Sequence, residues 1–331
     1  MTERRACVRM TAIISAALFL RTGIAGQLRE VGGSPASPPA CSDNAVAVQV
    51  LGSGGPMHGQ GRGSSAYLVW IHHQPFALVD IGGDTPTALV KAGVAAGAIP
   101  TLLISHLHPD HVSGLPDFLW GEMTAHRKEP LTIIGPDGGQ GFPDVGTFLH
   151  RLFGEGGAFV GMQGVLDGND VPLAVRSVQA SHKEALQVLD RSGVKISTYP
   201  VSHGKAPSIA FRIDGGDYRI VFGGDQGYVD SGFASFAMKA DVLILHAIAN
   251  EHVATERLAG IVGTPADLGQ IARRSQAKHV ILSHLMLATT QNSDSSLWSL
   301  ANLDGVRASI ERAYGAPVAI AEDSLCFPVR P

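Results

Sequence analysis

Short apolar runs, separated by stretches rich in glycine, proline and other turn-forming residues, recur along the chain from residue 45 onward. Runs of this length that contain many β-branched and aromatic residues are typical of buried strands. We predict strands over residues 45–51, 65–71, 75–81, 101–104, 131–136, 199–203, 219–225, 279–284 and 321–327. Apolar residues at helical spacing predict helices over residues 85–96, 115–120 and 142–153.

The stretch that follows the apolar run 101–104 is dense in polar side chains that bind metals. It reads SHLHPDH from Ser105 to His111. Alternate residues of an extended segment point the same way, so His106 and His108 can bind one ion. After the turn at Pro109, Asp110 and His111 face a second point nearby. Neutral imidazole and carboxylate suit zinc, iron or manganese, and the stretch therefore predicts a metal site rather than a group of surface histidines.

Three later apolar runs also end in a potential metal ligand. These ligands are His203, Asp225 and His284. The glycines before Asp225 leave room for its carboxylate to reach between two ions. A single histidine at a strand end is more often structural, but this set, in order and each at a strand end, favours one shared metal centre.

The sequence SHLHPDH and the later ligands together resemble the signature of the metallo-β-lactamase superfamily. The motif LGSGGP at residues 51–56 is similar to the opening strand of the ribonuclease Z and arylsulfatase-like branch. The resemblance extends from about residue 45 to the C-terminus. It implies an α/β fold, the four-layer αββα sandwich, with a centre that holds two divalent metal ions, most simply Zn²⁺, with Mn²⁺ or Fe as alternatives.

The resemblance also assigns a role to each ligand. It places His106, His108 and His203 on the first metal, Asp110, His111 and His284 on the second, and Asp225 between the two. Asp80 is expected behind the centre, where it helps to orient a ligand.

The reaction that these residues imply is hydrolysis of an anionic ester, either a phosphodiester or an aryl sulfate ester. Metal binding lowers the pKa of water toward ~7 and so supplies a hydroxide nucleophile, which Asp110 is placed to orient.

The general acid is not assigned by the resemblance alone. His246 stands near the position where many relatives carry a glutamate, and either His246 or His252 is a candidate general acid, although a structural role also explains each. A lactonase or thioesterase with the same ligands stays open, as does a non-catalytic metal-binding protein of the envelope. A β-lactamase is disfavoured by Asp225 and by the absence of a cysteine in the motifs.

Charge and spacing argue against a nucleic-acid substrate such as tRNA. The chain has 25 basic and 29 acidic residues, a net charge of −4, which does not suggest a broad basic surface. Ribonuclease Z grips tRNA with an arm inserted between its equivalents of His203 and Asp225, whereas here that interval fits only two strands and a turn. We expect a small anionic ester as the substrate and no stable nucleic-acid complex; a homodimer is possible.

The first residues have the layout of a secretory signal peptide. Three arginines precede an apolar stretch over residues 10–20, and small residues then offer a cleavage site. We predict a signal peptide over residues 1–26, a linker over 27–44 and the hydrolase domain over 45–331, with the mature protein periplasmic or secreted and without a transmembrane anchor. The mature chain then keeps Cys41 and Cys326, and the sequence leaves open whether they pair.

Overall fold

The computed structural model describes residues 41–57, 61–182, 184–227, 230–251, 260–286 and 299–329. Within these residues the chain forms two seven-stranded sheets with helices beside them. The strands are β1 Val46–Gly52, β2 Ala66–Ile71, β3 Gln74–Val79, β4 Thr101–Leu103, β5 Leu131–Pro136, β6 Leu173–Val178, β7 Leu186–Arg191, β8 Val194–Val201, β9 Ser208–Asp214, β10 Arg219–Phe222, β11 Val242–His246, β12 His279–Ser283, β13 Ala319–Ile320 and β14 Cys326–Pro328. The helices are α1 Thr85–Lys91, α2 Pro109–Val112, α3 Leu115–Thr124, α4 Val145–Phe153, α5 Gln163–Leu166, α6 Ser231–Phe236, α7 Pro265–Ser275 and α8 Leu303–Tyr314.

Both sheets are mixed. The first has the order β14-β1-β2-β3-β4-β5-β6, and the second has the order β13-β12-β11-β10-β9-β8-β7. Strands β3 to β6 run parallel to one another in the first sheet, and β10 to β13 do so in the second. Parallel neighbours bring several strand ends to the same edge of a sheet, which is where this fold class places its ligand sites.

Three apolar layers separate the four layers of secondary structure. Side chains of a strand point to both faces of its sheet. In β1, Val48 and Val50 point into the layer between the sheets, whereas Ala47 and Leu51 point toward the helices. Side chains of α1, α3 and α4 cover the outer face of the first sheet, and those of α6, α7 and α8 cover the second. The arrangement is an αββα sandwich, and the predicted fold class is confirmed.

All the predicted strands except the last exist, but several helix ends differ. Helix α1 stops at Lys91 rather than at residue 96, because the chain turns at Gly93, whose φ of 73° lies in the left-handed region. Helix α3 continues four residues beyond the predicted end, to Thr124. Helix α4 begins only at Val145, after Asp144 caps its first turn.

The predicted closing strand over residues 321–327 is wrong. Strand β13 pairs with β12 in the second sheet, whereas β14 pairs with β1 in the first. The residues between them cross from one sheet to the other and therefore cannot continue either strand. The side chain of Asp323 holds this crossing in place by accepting hydrogen bonds from the backbone amides of Ser53 and Gly63.

Cys41 and Cys326 form a disulfide across a sequence separation of 285 residues. It joins the 3-10 turn Cys41–Asp43 to β14 and so ties the two ends of the described chain to each other. The predicted signal peptide and most of the predicted linker lie outside the described residues, so these boundaries stay predictions. None of the described helices is long and apolar enough to cross a membrane.

Candidate metal centre

The predicted ligands come together at one edge of the sandwich. His203 follows β8, Asp225 follows β10, and His284 follows β12, while the segment from Ser105 to His111 follows β4. Because these strands present their carboxyl ends at the same edge, side chains far apart in sequence become neighbours. All seven predicted ligands lie in this cluster.

Three histidines form its first half. Nδ1 of His108 lies 3.0 Å from Nε2 of His106 and 3.1 Å from Nε2 of His203. The Nδ1–H of His203 donates to the backbone carbonyl of Ile261 at 2.7 Å. Since a carbonyl only accepts, the Nε2 of neutral His203 carries a lone pair, and it points at the other two rings.

The second half contains His111, His284 and Asp110. The Nε2 atoms of the two histidines are 3.1 Å apart, and Oδ2 of Asp110 lies 3.1 Å from Nε2 of His284 and 3.6 Å from Nε2 of His111. The histidine charges and the hydrogen bond from His284 outweigh burial and lower the pKa of Asp110 to about 2. Asp110 is therefore ionised at neutral pH.

Asp225 lies between the two halves with one oxygen toward each. Its Oδ2 is 3.3 Å from Nε2 of His203 and 3.9 Å from Nε2 of His106, whereas its Oδ1 is 3.6 Å from Nε2 of His284 and 3.8 Å from Nε2 of His111. This is the placement expected of a carboxylate that bridges two ions. Burial alone would raise the pKa of Asp225, but the surrounding histidines hold it well below its usual range.

Asp80 orients the second half from behind, as the resemblance implied. Its Oδ2 accepts a hydrogen bond from Nδ1 of His111 at 2.8 Å, and its Oδ1 accepts from the amide of Ser105 at 2.7 Å. The hydrogen on Nδ1 leaves Nε2 of His111 directed at the centre. Asp80 and His284 both adopt a φ of 56°, in the left-handed region that non-glycine residues adopt uncommonly.

The donor set fits divalent cations. Five imidazoles and two carboxylates converge, with ring nitrogens 3.0–3.1 Å apart that cannot all share hydrogen bonds. Burial by itself lowers the pKa of His111, but Asp80, Asp225 and Asp110 raise it to about 9. A site that attracts a proton so strongly also attracts a metal ion, which competes for the same nitrogen.

His246, predicted as a candidate general acid, lies behind Asp225 and makes contacts through both of its ring nitrogens. Its ring is buried, with Nδ1 2.6 Å from Oδ1 of Asp225 and Nε2 3.0 Å from the hydroxyl of Tyr67. Burial lowers its pKa to about 4. It also lies within 4.8 Å of the potential ligand atoms of His111, Asp225 and His284. The other candidate, His252, lies outside the described residues.

Sequence reasoning missed Tyr67 and Ser283, which lie behind His246. Tyr67 is an inward residue of β2, and its hydroxyl contacts Ser283 at 2.8 Å. Nothing in the local pattern distinguishes it from an ordinary core aromatic residue. The adjacent Ser-His sequence at residues 283–284 was the only local signal for Ser283.

A pocket opens beside His203. Its lining is mostly polar or glycine and includes Gln140, Ser181, Ser202 and the exposed Lys205. The pocket places Lys205, the carboxylate of Asp137 and several hydrogen-bonding groups next to the first half of the cluster. Such a lining suits a polar substituent of a substrate.

Fold and site together define a metallo-hydrolase with a histidine- and aspartate-rich centre between two sheets. The profile of the family described as "Beta-lactamase superfamily domain" matches residues 78–285. The chain is 30% identical to "Ribonuclease Z" from Mycobacterium avium (strain 104) over 266 residues, which cover 77% of this chain and 91% of that protein. The chain therefore belongs to the metallo-β-lactamase superfamily, in its ribonuclease Z branch.

Solved structures agree on the fold. The metallo-beta-lactamase fold protein YhfI from Bacillus subtilis matches with a TM-score of 0.65 and 20% identity, covering 86% of this chain and 99% of that one. The short form of human tRNase Z matches with a TM-score of 0.64 and 22% identity, covering 86% and 100%. At these identities the likeness concerns the fold alone.

Proposed function

We propose that this protein is an exported hydrolase that cleaves a small anionic ester, with a phosphodiester as the first candidate and an aryl sulfate ester as the second. The observation that carries the proposal is the pair of donor clusters that share Asp225. His106, His108 and His203 would hold one divalent cation, Asp110, His111 and His284 the other, and Asp225 both. Such ions, with Zn²⁺ the best match to imidazole and carboxylate, supply Lewis acidity and a water molecule whose pKa is lowered toward ~7.

The charge of the site favours an anionic substrate. Asp110 and Asp225 are the two carboxylates of the cluster, and together they neutralise only part of the charge of two divalent cations. The neighbouring pocket contains one basic residue, the exposed Lys205, and one acidic residue, Asp137, so it does not offset this positive charge. An ester that carries a negative charge is therefore attracted, and the charge that develops on its oxygens during cleavage is stabilised.

We assign to Asp110 the role of orienting the nucleophilic water molecule. It is ionised at neutral pH, and its Oδ2 points into the second half of the cluster. A carboxylate in this position accepts a hydrogen bond from the attacking water and so fixes the direction in which the lone pair points. Orientation of this kind lowers the activation barrier, because the entropy cost of aligning the reacting atoms has already been met when the substrate is bound.

The ribonuclease Z relatives support the choice of a phosphodiester over other esters.

The size of the substrate is a separate question. The interval between His203 and Asp225 contains only β9, β10 and the turn that joins them. We infer a small phosphodiester rather than a folded RNA, because this short hairpin is not the long arm that grips tRNA.

Export is supported by two independent features. The N-terminal arginines and apolar stretch resemble a signal peptide, and the Cys41–Cys326 disulfide is of the kind that persists in oxidising compartments such as the periplasm.

The deciding experiment combines metal content with turnover. We expect about two metal ions per chain, turnover of bis(p-nitrophenyl) phosphate faster than that of p-nitrophenyl sulfate, and loss of both metal and turnover in Asp225→Ala. The matched control is Asp217→Ala, which removes an exposed carboxylate in the turn between β9 and β10. Bound metal without either activity would redirect the search to lactone, thioester or β-lactam substrates, and a folded protein that binds no metal would overturn the proposal.

A further inference from the structure

A line of buried polar groups leads from the metal centre into the interior of the sandwich. Oδ1 of Asp225 contacts Nδ1 of His246 at 2.6 Å, and Nε2 of His246 contacts the hydroxyl of Tyr67 at 3.0 Å. The hydroxyl of Tyr67 in turn lies 2.8 Å from that of Ser283. None of the four side chains belongs to a residue that is more than 6% exposed, so water does not compete for these hydrogen bonds.

The chemistry of the partners places the hydrogens. The ionised carboxylate of Asp225 has none to give, so the hydrogen in the 2.6 Å contact belongs to Nδ1 of His246. In the neutral ring Nε2 is then an acceptor. Tyr67 has a single hydroxyl hydrogen, which goes to Nε2 of His246 when the Ser283 hydroxyl rotates to donate to the Tyr67 oxygen. In this arrangement Tyr67 supports the tautomer of His246 in which Nδ1 carries the hydrogen for Asp225.

The contact also controls the direction of the carboxylate. With Oδ1 held by His246 on one side, Oδ2 turns toward His203, whose Nε2 is 3.3 Å away. The ring of His246 is itself held by packing, because it stacks on the ring of His284 with centroids 4.6 Å apart. Carboxylate, imidazole and phenol therefore form one rigid unit.

We propose that His246 is a positioning residue, which holds Asp225 with one oxygen toward each half of the metal centre, and that Tyr67 keeps His246 in the tautomer required for this. The inference rests on the proposed metal centre. It differs from the role of general acid, because both ring nitrogens of His246 are already bonded and the residue is buried. The general acid is then another group.

The test compares four variants. His246→Ala removes the contact to Asp225, whereas His246→Asn keeps an N–H donor near the place of Nδ1. Tyr67→Phe removes only the hydroxyl that selects the tautomer. The matched control is Tyr218→Phe, which removes a buried hydroxyl that has no hydrogen-bond partner among the described residues.

The main readout is metal affinity of the metal-free protein, measured by competition with a chelator and by the visible spectrum of the cobalt(II) form. We expect His246→Ala to weaken binding about 10–100-fold, as loss of groups behind a metal ligand does, and His246→Asn to restore most of the affinity and the wild-type spectrum. Tyr67→Phe should weaken binding by a smaller factor, and Tyr218→Phe should leave it unchanged.

Three outcomes would overturn the proposal. Unchanged metal affinity in folded His246→Ala would show that Asp225 needs no support. Loss of affinity and a changed cobalt spectrum in His246→Asn as well as in His246→Ala would make His246 a direct ligand. Normal affinity in His246→Asn with a rate that falls most for aryl phosphodiesters with poor leaving groups would make it the general acid.

Folding and the proposed function are checked separately. Thermal unfolding of each variant shows whether it folds, and if His246→Ala does not, the comparison of His246→Asn with Tyr67→Phe still decides. A wild-type protein without metal would refute the metal centre as a whole, whereas a wild-type protein with metal and insensitive variants would refute only the role of His246.

Discussion

At the residue scale, the centre depends on side chains that never face a substrate. Nε2 of His111 and Nε2 of His203 point inward because Nδ1 of each ring is occupied, by Asp80 behind His111 and by the carbonyl of Ile261 behind His203. Such contacts fix both the tautomer and the orientation of a ring before any ion binds. Two changes test this dependence.

Replacing Asp80 with Asn should weaken metal binding about 10–100-fold. The amide has nearly the same shape, but its NH₂ group facing Nδ1 of His111 would reverse that hydrogen bond and place the ring hydrogen on Nε2, the nitrogen that faces the centre. Competition with a chelator measures the effect. Asp217→Asn, on an exposed carboxylate, is the control; equal affinities in the two folded variants would contradict the assigned role.

Replacing Gly55 with Ala should damage the second half of the centre alone. Nδ1 of His284 has no hydrogen-bond partner among the described residues, and on this side the ring packs against Gly55. A Cβ at residue 55 would lie 2.8 Å from that nitrogen and would displace it. We expect metal content to fall from about two ions to about one per chain, measured by elemental analysis.

Gly121→Ala provides the control for Gly55→Ala. Nothing lies within 4 Å of a Cβ at this exposed position of α3. The added methyl should leave metal content unchanged and raise the free energy of unfolding by about 0.5–1 kcal/mol. Full metal content in Gly55→Ala would show that the ring of His284 has room to move.

At the element scale, the three predicted helices exist with different ends, whereas helices such as α7 and α8 were not predicted. The apolar run 131–136 became β5 with the same bounds, because a buried strand is defined by its side chains alone. Helix ends depend on capping and on left-handed residues, which is why α1 stops before Gly93 and α4 starts after Asp144.

The cap of α4 makes a pH-dependent contribution to stability. The side chain of Asp144 accepts hydrogen bonds from the hydroxyl and the amide of Thr147, and these lower the pKa of Asp144. Asp144→Ala should lower the free energy of unfolding by about 1 kcal/mol at neutral pH. A carboxylate with a lowered pKa stabilises the fold above its unfolded pKa of about 4 and loses that effect as the pH falls through the folded value.

The difference between wild type and Asp144→Ala should therefore shrink as the pH falls below about 4. Urea unfolding at a series of pH values measures it. Asp144→Asn separates the cap from the charge, since asparagine caps as well as aspartate but does not titrate. A difference that is independent of pH would assign the effect to packing instead.

At the scale of the whole molecule, the two ends of the described part of the chain are joined across a long sequence distance. Strand β14 pairs with β1, and the Cys41–Cys326 disulfide secures the same corner. A bond that closes so long a loop restricts the unfolded chain more than the folded one. The two ends of the described part of the chain therefore contribute to stability.

Reduction of this disulfide should lower the free energy of unfolding by about 2–4 kcal/mol. Urea unfolding of protein produced in an oxidising compartment, with and without reductant, measures the change. The variant with both Cys41→Ser and Cys326→Ser should have the same free energy of unfolding as the reduced protein, and reductant should not change it. Two free thiols in the untreated protein, together with no effect of reductant, would contradict the pairing.

The sequence by itself determined the fold class and the composition of the centre. Metal chemistry restricts ligands to a few residue types, and each candidate stands directly after an apolar strand, so His106, Asp225 and His284 are visible in the local pattern. Tertiary structure decided which atom of each ligand faces the centre and that Cys41 pairs with Cys326. It also decided that the hydroxyl of Tyr67 contacts His246, which lies 179 residues away in the sequence. The physical reason is range: periodicity reports only near neighbours along the chain, whereas tautomer, orientation and burial are set by residues that meet after the sheets have packed.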